Sequence, residues 1–182
     1  MKKRVMMGKN LNYVKSNNSF VNTGISLNNN ISIEIDFEGV NTINNQALFG
    51  VWTREASFQV VFFSNRWYYG TGVTESNMPM PMPFTSRQII KYNVNKKLYI
   101  NDVECATLGV FPTISDKIWL FRRNLTYTDQ PCPSYIKLYS FKIHELGKLI
   151  RDFLPAKKDN KYCLYDRVTK TYYYDQYDNL TI

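Results

Sequence analysis

Ser134–Asp175, SYIKLYSFKIHELGKLIRDFLPAKKDNKYCLYDRVTKTYYYD, is the stretch whose reading decides the fold. Tyr135 to Ile143 is a β-branched and aromatic run with apolar side chains on both pleat faces, the pattern of a central strand covered on both sides. Glu145-Leu146-Gly147-Lys148 supplies a turn, with Gly147 free to take φ > 0. A second strand, Leu149 to Leu154, runs into Pro155, which is expected to end the pairing because it has no N–H to donate. Tyr162 to Asp166 and Thr171 to Tyr174 then form a hairpin across Arg167-Val168-Thr169-Lys170. Two successive antiparallel hairpins make an all-β signal.

Working outward, the same grammar recurs. Ile31 to Glu38 has the cleanest period of two: Ile31, Ile33, Ile35 and Phe37 share one face, and Ser32, Glu34, Asp36 and Glu38 the other. Leu11–Lys15, Phe20–Thr23, Ala47–Thr53, Ser57–Phe63, Arg66–Tyr69, Gln88–Asn93, Lys97–Asn101, Val103–Thr107 and Ile118–Arg122 also read as strands. Turns fall at Ser16–Ser19, Asn28–Asn30, Ser64-Asn65 and Asn101-Asp102, with Arg54-Glu55-Ala56 as a short link. Residues 71–86 form the long irregular segment; its Met78-Pro79, Met80-Pro81 and Met82-Pro83 repeats are expected to avoid ladder pairing and favour polyproline II. Leu125 to Pro133 reads as a second loop. No helix is expected, and short strands at close spacing make a sandwich or barrel.

Composition sets the outer limits. A chain of 182 residues, 15% aromatic, suits one domain, 11–182, preceded by a basic arm, 1–10. The net charge of +8 is spread thinly, with clusters only at Lys2-Lys3-Arg4 and Lys157-Lys158, so nucleic acid is not an expected partner. Cys105, Cys132 and Cys163 are an odd count without metal-ligand spacing, and they read as free thiols rather than a zinc site or a disulfide framework. No metal or other cofactor is expected. No apolar run reaches the ~18 residues that a membrane span needs, and the start shows no secretion signal.

The pattern of Tyr139-Ser140, Lys142-Ile143, Leu149-Ile150-Arg151-Asp152-Phe153, Pro155 and Leu164-Tyr165-Asp166-Arg167-Val168 resembles the closing segment of concanavalin A-like, laminin-G-like jelly-roll domains. Tyr13-Val14, Phe20–Gly24, Ile33–Phe37, Leu48–Gly50 and Leu98–Asn101 fall in that family's order as well. The resemblance implies an all-β jelly-roll sandwich of the kind found in bacteriophage structural proteins and bacterial surface proteins. In that family a glycine usually precedes Leu-Tyr-Asp; here Cys163 stands there, which puts the local backbone in question. Arg151, Asp152 and Asp166 read as an internal ion-pair and turn-capping set.

The resemblance implies, first, a non-enzymatic virion module, made in the host cytoplasm, that binds neighbouring capsid or tail proteins or a cell-surface glycan, with homo-oligomers possible. Second comes a carbohydrate-binding domain of a bacterial surface or extracellular protein, and third a retaining glycoside hydrolase. The hydrolase reading rests on Glu34-Ile35-Asp36-Phe37-Glu38, which is similar to the E-x-D-x-E string of β-glucanases sharing this architecture; an amphipathic strand with a solvated acidic face is the plainer account. Trp67 and Tyr69, with Trp52, are the candidate ring platforms for a glycan or partner, although alternation sends at least one of Trp67, Tyr68 and Tyr69 into the core. Trp119 reads as core and His144 as a strand-end histidine. Lys2, Lys3, Arg4, Met78, Met80 and Met82 are the candidate interaction arm and loop. Tyr172-Tyr173-Tyr174 reads either as edge packing with alternating rings or as an interface patch.

Overall fold

The structure is a computed structural model and describes residues 8–40, 45–53, 57–63, 66–72, 78–79, 85–93, 96–107, 113–125 and 134–182. Among them regular structure is strand only. In chain order the strands are β1 (Lys9–Asn10), β2 (Val14–Lys15), β3 (Val21–Leu27), β4 (Ile31–Gly39), β5 (Gln46–Trp52), β6 (Ser57–Phe63), β7 (Arg66–Gly72), β8 (Met78–Pro79) and β9 (Gln88–Tyr92). They continue as β10 (Lys97–Ile100), β11 (Val103–Thr107), β12 (Ile114–Leu120), β13 (Arg123–Leu125), β14 (Ile136–Glu145), β15 (Lys148–Lys158), β16 (Lys161–Asp166) and β17 (Thr171–Tyr174).

Two antiparallel sheets pack face to face. The larger runs β11-β10-β9-β4-β14-β15-β16-β17, and the smaller β3-β12-β5-β6-β7-β8; among the described residues the one parallel pairing sets the short β13 beside β5. The core is the inward half of each alternation. Ile31, Ile33, Ile35 and Phe37 from β4, and Ile136, Leu138, Phe141 and Ile143 from β14, are buried against Phe49, Val51, Ile118 and Leu120 of the smaller sheet. Phe49 meets Phe141 across the interface at 5.8 Å between ring centroids. This is the face-to-face packing that two sheets with one apolar side each must find.

β14 and β15 form the hairpin expected from the sequence, with Leu146 and Gly147 both at positive φ (49° and 78°), the geometry of a tight two-residue turn. β14 is central, between β4 and β15, but the expectation that it is covered on both faces is corrected. A bulge at Tyr139 sets Leu138 opposite Phe37 and Ser140 opposite Asp36. The extra residue restores alternation, so Lys137, Tyr139, Ser140 and Lys142 all face outward and are only half-buried.

Pro155 does not end its strand. β15 continues to Lys158, with Pro155 opposite Leu164. The Pro155 carbonyl accepts from the Leu11 amide at 3.1 Å, on the side that β14 has already left. The proline nitrogen faces the same way, so the ladder to β16 loses no donor. The gap where β14 and β15 diverge is filled by the first described segment: β1 pairs with β15 and β2 with β14. Lys9 and Asn10, assigned above to the basic arm, therefore belong to the sheet.

The irregular reading of 71–86 is corrected at two points. β7 runs on through Thr71 and Gly72, opposite Phe58 and Ser57. Met78 and Pro79 pair with Tyr69 and Tyr68 as the outermost strand of the smaller sheet, an edge position where a missing N–H is tolerated. Cys163 lies in regular strand opposite Ala156 and Tyr174, so the family's glycine is not needed for a positive φ here. The turns expected at Arg54–Ala56 and Ser64-Asn65, and most of the Leu125–Pro133 loop, lie outside the described residues.

Candidate functional site

Alternation along β4 puts Glu34, Asp36 and Glu38 in one row on the outer face of the larger sheet, as the sequence implies. The flanking strands β9 and β14, with Arg87 just before β9, supply a cation for each. Glu34 accepts from Lys142 Nζ at 2.6 Å and has Lys91 Nζ at 3.8 Å on its other side. Asp36 accepts two bonds from Arg87, 2.8 Å from Nε and 2.7 Å from Nη2, in the fork geometry that suits a carboxylate. Glu38 accepts from Lys137 Nζ at 2.7 Å and from the Tyr139 hydroxyl at 2.8 Å. The Arg87 guanidinium lies 3.9 Å over the Tyr139 ring, and Tyr13 meets that ring edge-on at 5.8 Å. Lys91–Asp102 and Lys97–Glu104 carry the ion pairing outward across β9, β10 and β11.

Electrostatics follows. The Lys137 ammonium, then the Tyr139 hydroxyl, hold the Glu38 carboxyl below its ordinary value. The bond to Glu38 raises Lys137, and the bond to Asp36 raises Arg87. Burial first, and then the bond to Glu38, raises the Tyr139 phenol. Retaining glycoside hydrolysis needs one carboxyl kept protonated by a raised pKa, and Glu38 is displaced the other way. The sequence singled out the three acids but missed Arg87, Tyr139, Lys137, Lys142 and Lys91. The signal was present as the Lys-x-Tyr and Lys of 137–142, once β14 is known to lie beside β4.

The ring candidates separate. Trp67 is a core residue, fully buried with Phe37 and Phe62 packed against it at 5.2 and 5.4 Å. Tyr69 is buried on the same face. Both are therefore corrected as exposed platforms: alternation aims them at the larger sheet, and it is Tyr68 that points outward, packing with Ala47 and Val61. Trp52 is half-buried, and the Arg123 guanidinium lies 4.5 Å over its ring. Trp119 is half-buried on the outer face of the smaller sheet and stacks on Phe20 at 4.3 Å, which corrects its reading as core. In the final strand Tyr173 packs on Phe153 at 5.0 Å while Tyr174 is 42% exposed, so the rings do alternate. Lys2, Lys3, Arg4, Met80 and Met82 lie outside the described residues, and Met78 is placed by its backbone alone.

Arg151, Asp152 and Asp166 form the structural set read from the sequence. Asp166 accepts from the amides of Asp152 and Val168 and from the Thr169 hydroxyl, with Arg151 Nε 3.6 Å away. Asp152 is bound by Arg167 at 2.6 Å. Between the sheets a crevice of about 270 Å³, counting the solvent at its mouth, is lined mainly by Phe49, Phe58, Tyr69, Ile90, Tyr92 and Leu98; burial raises both phenols. Among the described residues no three His, Cys, Asp or Glu side chains gather to hold a metal, and no helix is long and apolar enough to cross a membrane.

Fold and site together define an all-β, two-sheet sandwich whose outer acidic row is closed by cations. Neither a protein-family model nor a curated protein matches the chain.

Proposed function

We propose that the chain is a non-enzymatic structural or adhesive module of a bacteriophage virion, built as a concanavalin A-like jelly roll and docking on neighbouring capsid or tail proteins or on surface glycans. The observation that carries this reading is the closed acidic row: Glu34, Asp36 and Glu38 are each held by Lys or Arg, a surface suited to rigidity rather than proton transfer. The jelly-roll assignment draws support from sheets assembled out of sequence-distant strands, with β4 between β9 and β14 and β12 between β3 and β5. Immunogold labelling of particles released from producing cells tests it. Regular labelling of virions is expected; unlabelled particles and a strictly monomeric protein would overturn it. Reducing sugar released from β-glucans by the chain, and lost in Glu38→Gln, would establish hydrolysis instead.

The exposed rings of Tyr174 and Tyr177 favour a second reading, a carbohydrate-binding domain of a bacterial surface protein. Glycan-array binding that is lost in Tyr177→Ala would select it.

A further inference from the structure

One surface of the smaller sheet belongs neither to the core nor to the acidic row. On the outer face of β12, Trp119 stands directly opposite Asn22 of β3 and Gly50 of β5. Gly50 adds no side chain on its side. On the other side Phe20, two residues before Asn22, stacks on the indole at 4.3 Å between centroids and 20° between planes. Tyr177, from the C-terminal segment, stands edge-on to Phe20 at 5.5 Å and is 52% exposed. Two nearly parallel rings and a third nearly perpendicular to them make an aromatic corner. Its central ring is fixed on a strand, and no further ring or cation among the described residues lies against the indole.

The polar side chains around this corner offer donors. The Trp119 indole N–H has no acceptor among the described residues and reaches solvent. Arg122 lies 5.4 Å over Phe20 and donates to the Tyr177 hydroxyl at 3.1 Å, which leaves most of its N–H groups open. It has no carboxylate within ion-pair distance among the described residues. Asn22 uses its side-chain oxygen to accept the Gly24 amide at 2.9 Å, so its amide nitrogen is the end left to solvent. The carboxylates closest in the chain are turned elsewhere. Asp175 accepts from the Phe20 and Asn179 amides, Asp178 binds Lys161, and Asp116 falls by alternation with the inward-facing Ile118.

We infer that this corner binds an acidic polysaccharide, with the C–H face of one sugar on Trp119 and the carboxylate of that uronic acid residue, or of the next, on Arg122. Both side chains touch the Phe20 ring, so a disaccharide spans them. The hydroxyls of a neutral sugar donate as well as accept, and among the described residues no free carboxylate or amide oxygen at the corner receives them. A carboxylate only accepts, and its two oxygens match the guanidinium fork. A peptide carboxylate would satisfy Arg122 but brings no flat C–H face to the indole. The inference rests on the carbohydrate-binding reading above and adds to it the class of sugar and the place.

The test is isothermal titration calorimetry of the full chain with tetramers of galacturonic, glucuronic or mannuronic acid, and with the same tetramers after reduction of their carboxyls to alcohols. Physiological salt screens the general attraction to a net charge of +8. The natural sequence is expected to bind an acidic tetramer about tenfold or more tightly than its reduced form. Arg122→Gln should erase that preference, and Lys148→Gln, an equal charge change on the larger sheet, should keep it. Trp119→Ala should weaken binding of both forms. Equal affinity for the two forms, or a preference that survives Arg122→Gln, would overturn the acidic sugar and leave the carbohydrate reading to its glycan array. Binding untouched by Trp119→Ala, or none by the natural sequence, would overturn the site. An oligoglutamate peptide that binds as tightly, with the same dependence on Trp119 and Arg122, would reassign the corner to an acidic protein segment. Thermal melting of every variant, with Trp119→Phe as a replacement that keeps a ring, separates lost binding from lost folding.

Discussion

Glu38 accepts two hydrogen bonds, from Lys137 and Tyr139, that act on its ionised form. Its folded pKa therefore lies below its unfolded one, and the stability it contributes is fully present above the ordinary carboxylate value of about 4.3. That contribution is lost as pH falls through the lowered folded value. With the side chain about a quarter exposed, Glu38→Gln is expected to cost about 1 kcal/mol at pH 7, and the gap from the natural sequence should close in acid. Urea melts at pH 7 and pH 3 check this; a gap independent of pH would show that the contact is merely steric. The cysteines differ as sharply. Cys163 is fully buried, its thiol donates to the Ala156 carbonyl at 3.6 Å, and burial pushes its pKa up to about 11. At pH 8 only about one molecule in a thousand carries that thiolate, whereas Cys105 is exposed on β11. Iodoacetamide followed by peptide mapping should modify Cys105 in the native protein and Cys163 only in denaturant.

Among the strands, β5 shows how a local rule yields to packing. Gly50 sits mid-strand, where alanine has the better intrinsic propensity. A Cβ there would nonetheless lie 2.8 Å from Gln59 Cβ and 2.9 Å from the Phe58 carbonyl. Gly50→Ala is expected to lower stability by about 1–3 kcal/mol, read as a fall in denaturant midpoint at unchanged slope. β4 was legible in the sequence because a period of two over Ile31–Glu38 has one physical explanation. The same period could not say what sits opposite: Lys142 is 108 residues from Glu34, and their pairing depends on register set by the β14 bulge. Composition and hydropathy do not reveal the bulge at Tyr139, so the strand read as apolar on both faces. Pro155 was misread because its effect depends on which side of the strand has a neighbour. Alternation sent at least one of Trp67, Tyr68 and Tyr69 into the core, but only the position of the larger sheet decides that Trp67 and Tyr69 are the inner ones.

At the scale of the molecule, the first and last described segments close the sandwich on each other. The Lys15 amide donates to the Thr181 carbonyl at 2.8 Å, and the Thr181 amide returns a bond to Lys15 at 3.0 Å. Asp175 accepts from the Phe20 amide at 2.7 Å and from the Asn179 amide at 2.6 Å, while Gln176 donates to the Phe20 carbonyl at 3.1 Å. Leu180, 4% exposed, belongs to the same core as Val14 and Val21. The segment that fills the gap between β14 and β15 is thus held in place by residues 175–182 as well as by its own few ladder pairs. Removing residues 176–182 deletes a buried leucine and leaves the Lys15 amide and carbonyl without partners, a loss of about 3–5 kcal/mol. The loss should be unevenly distributed. β4 and β14 keep every ladder bond to each other, so their slowest amides should follow global stability alone. Amides of residues 9–20 should exchange by local opening, because their return to the gap no longer has a clasp. Hydrogen exchange resolved by residue distinguishes the two: acceleration confined to 9–20 beyond the global change is expected. A uniform acceleration would mean that residues 176–182 act only through the common core.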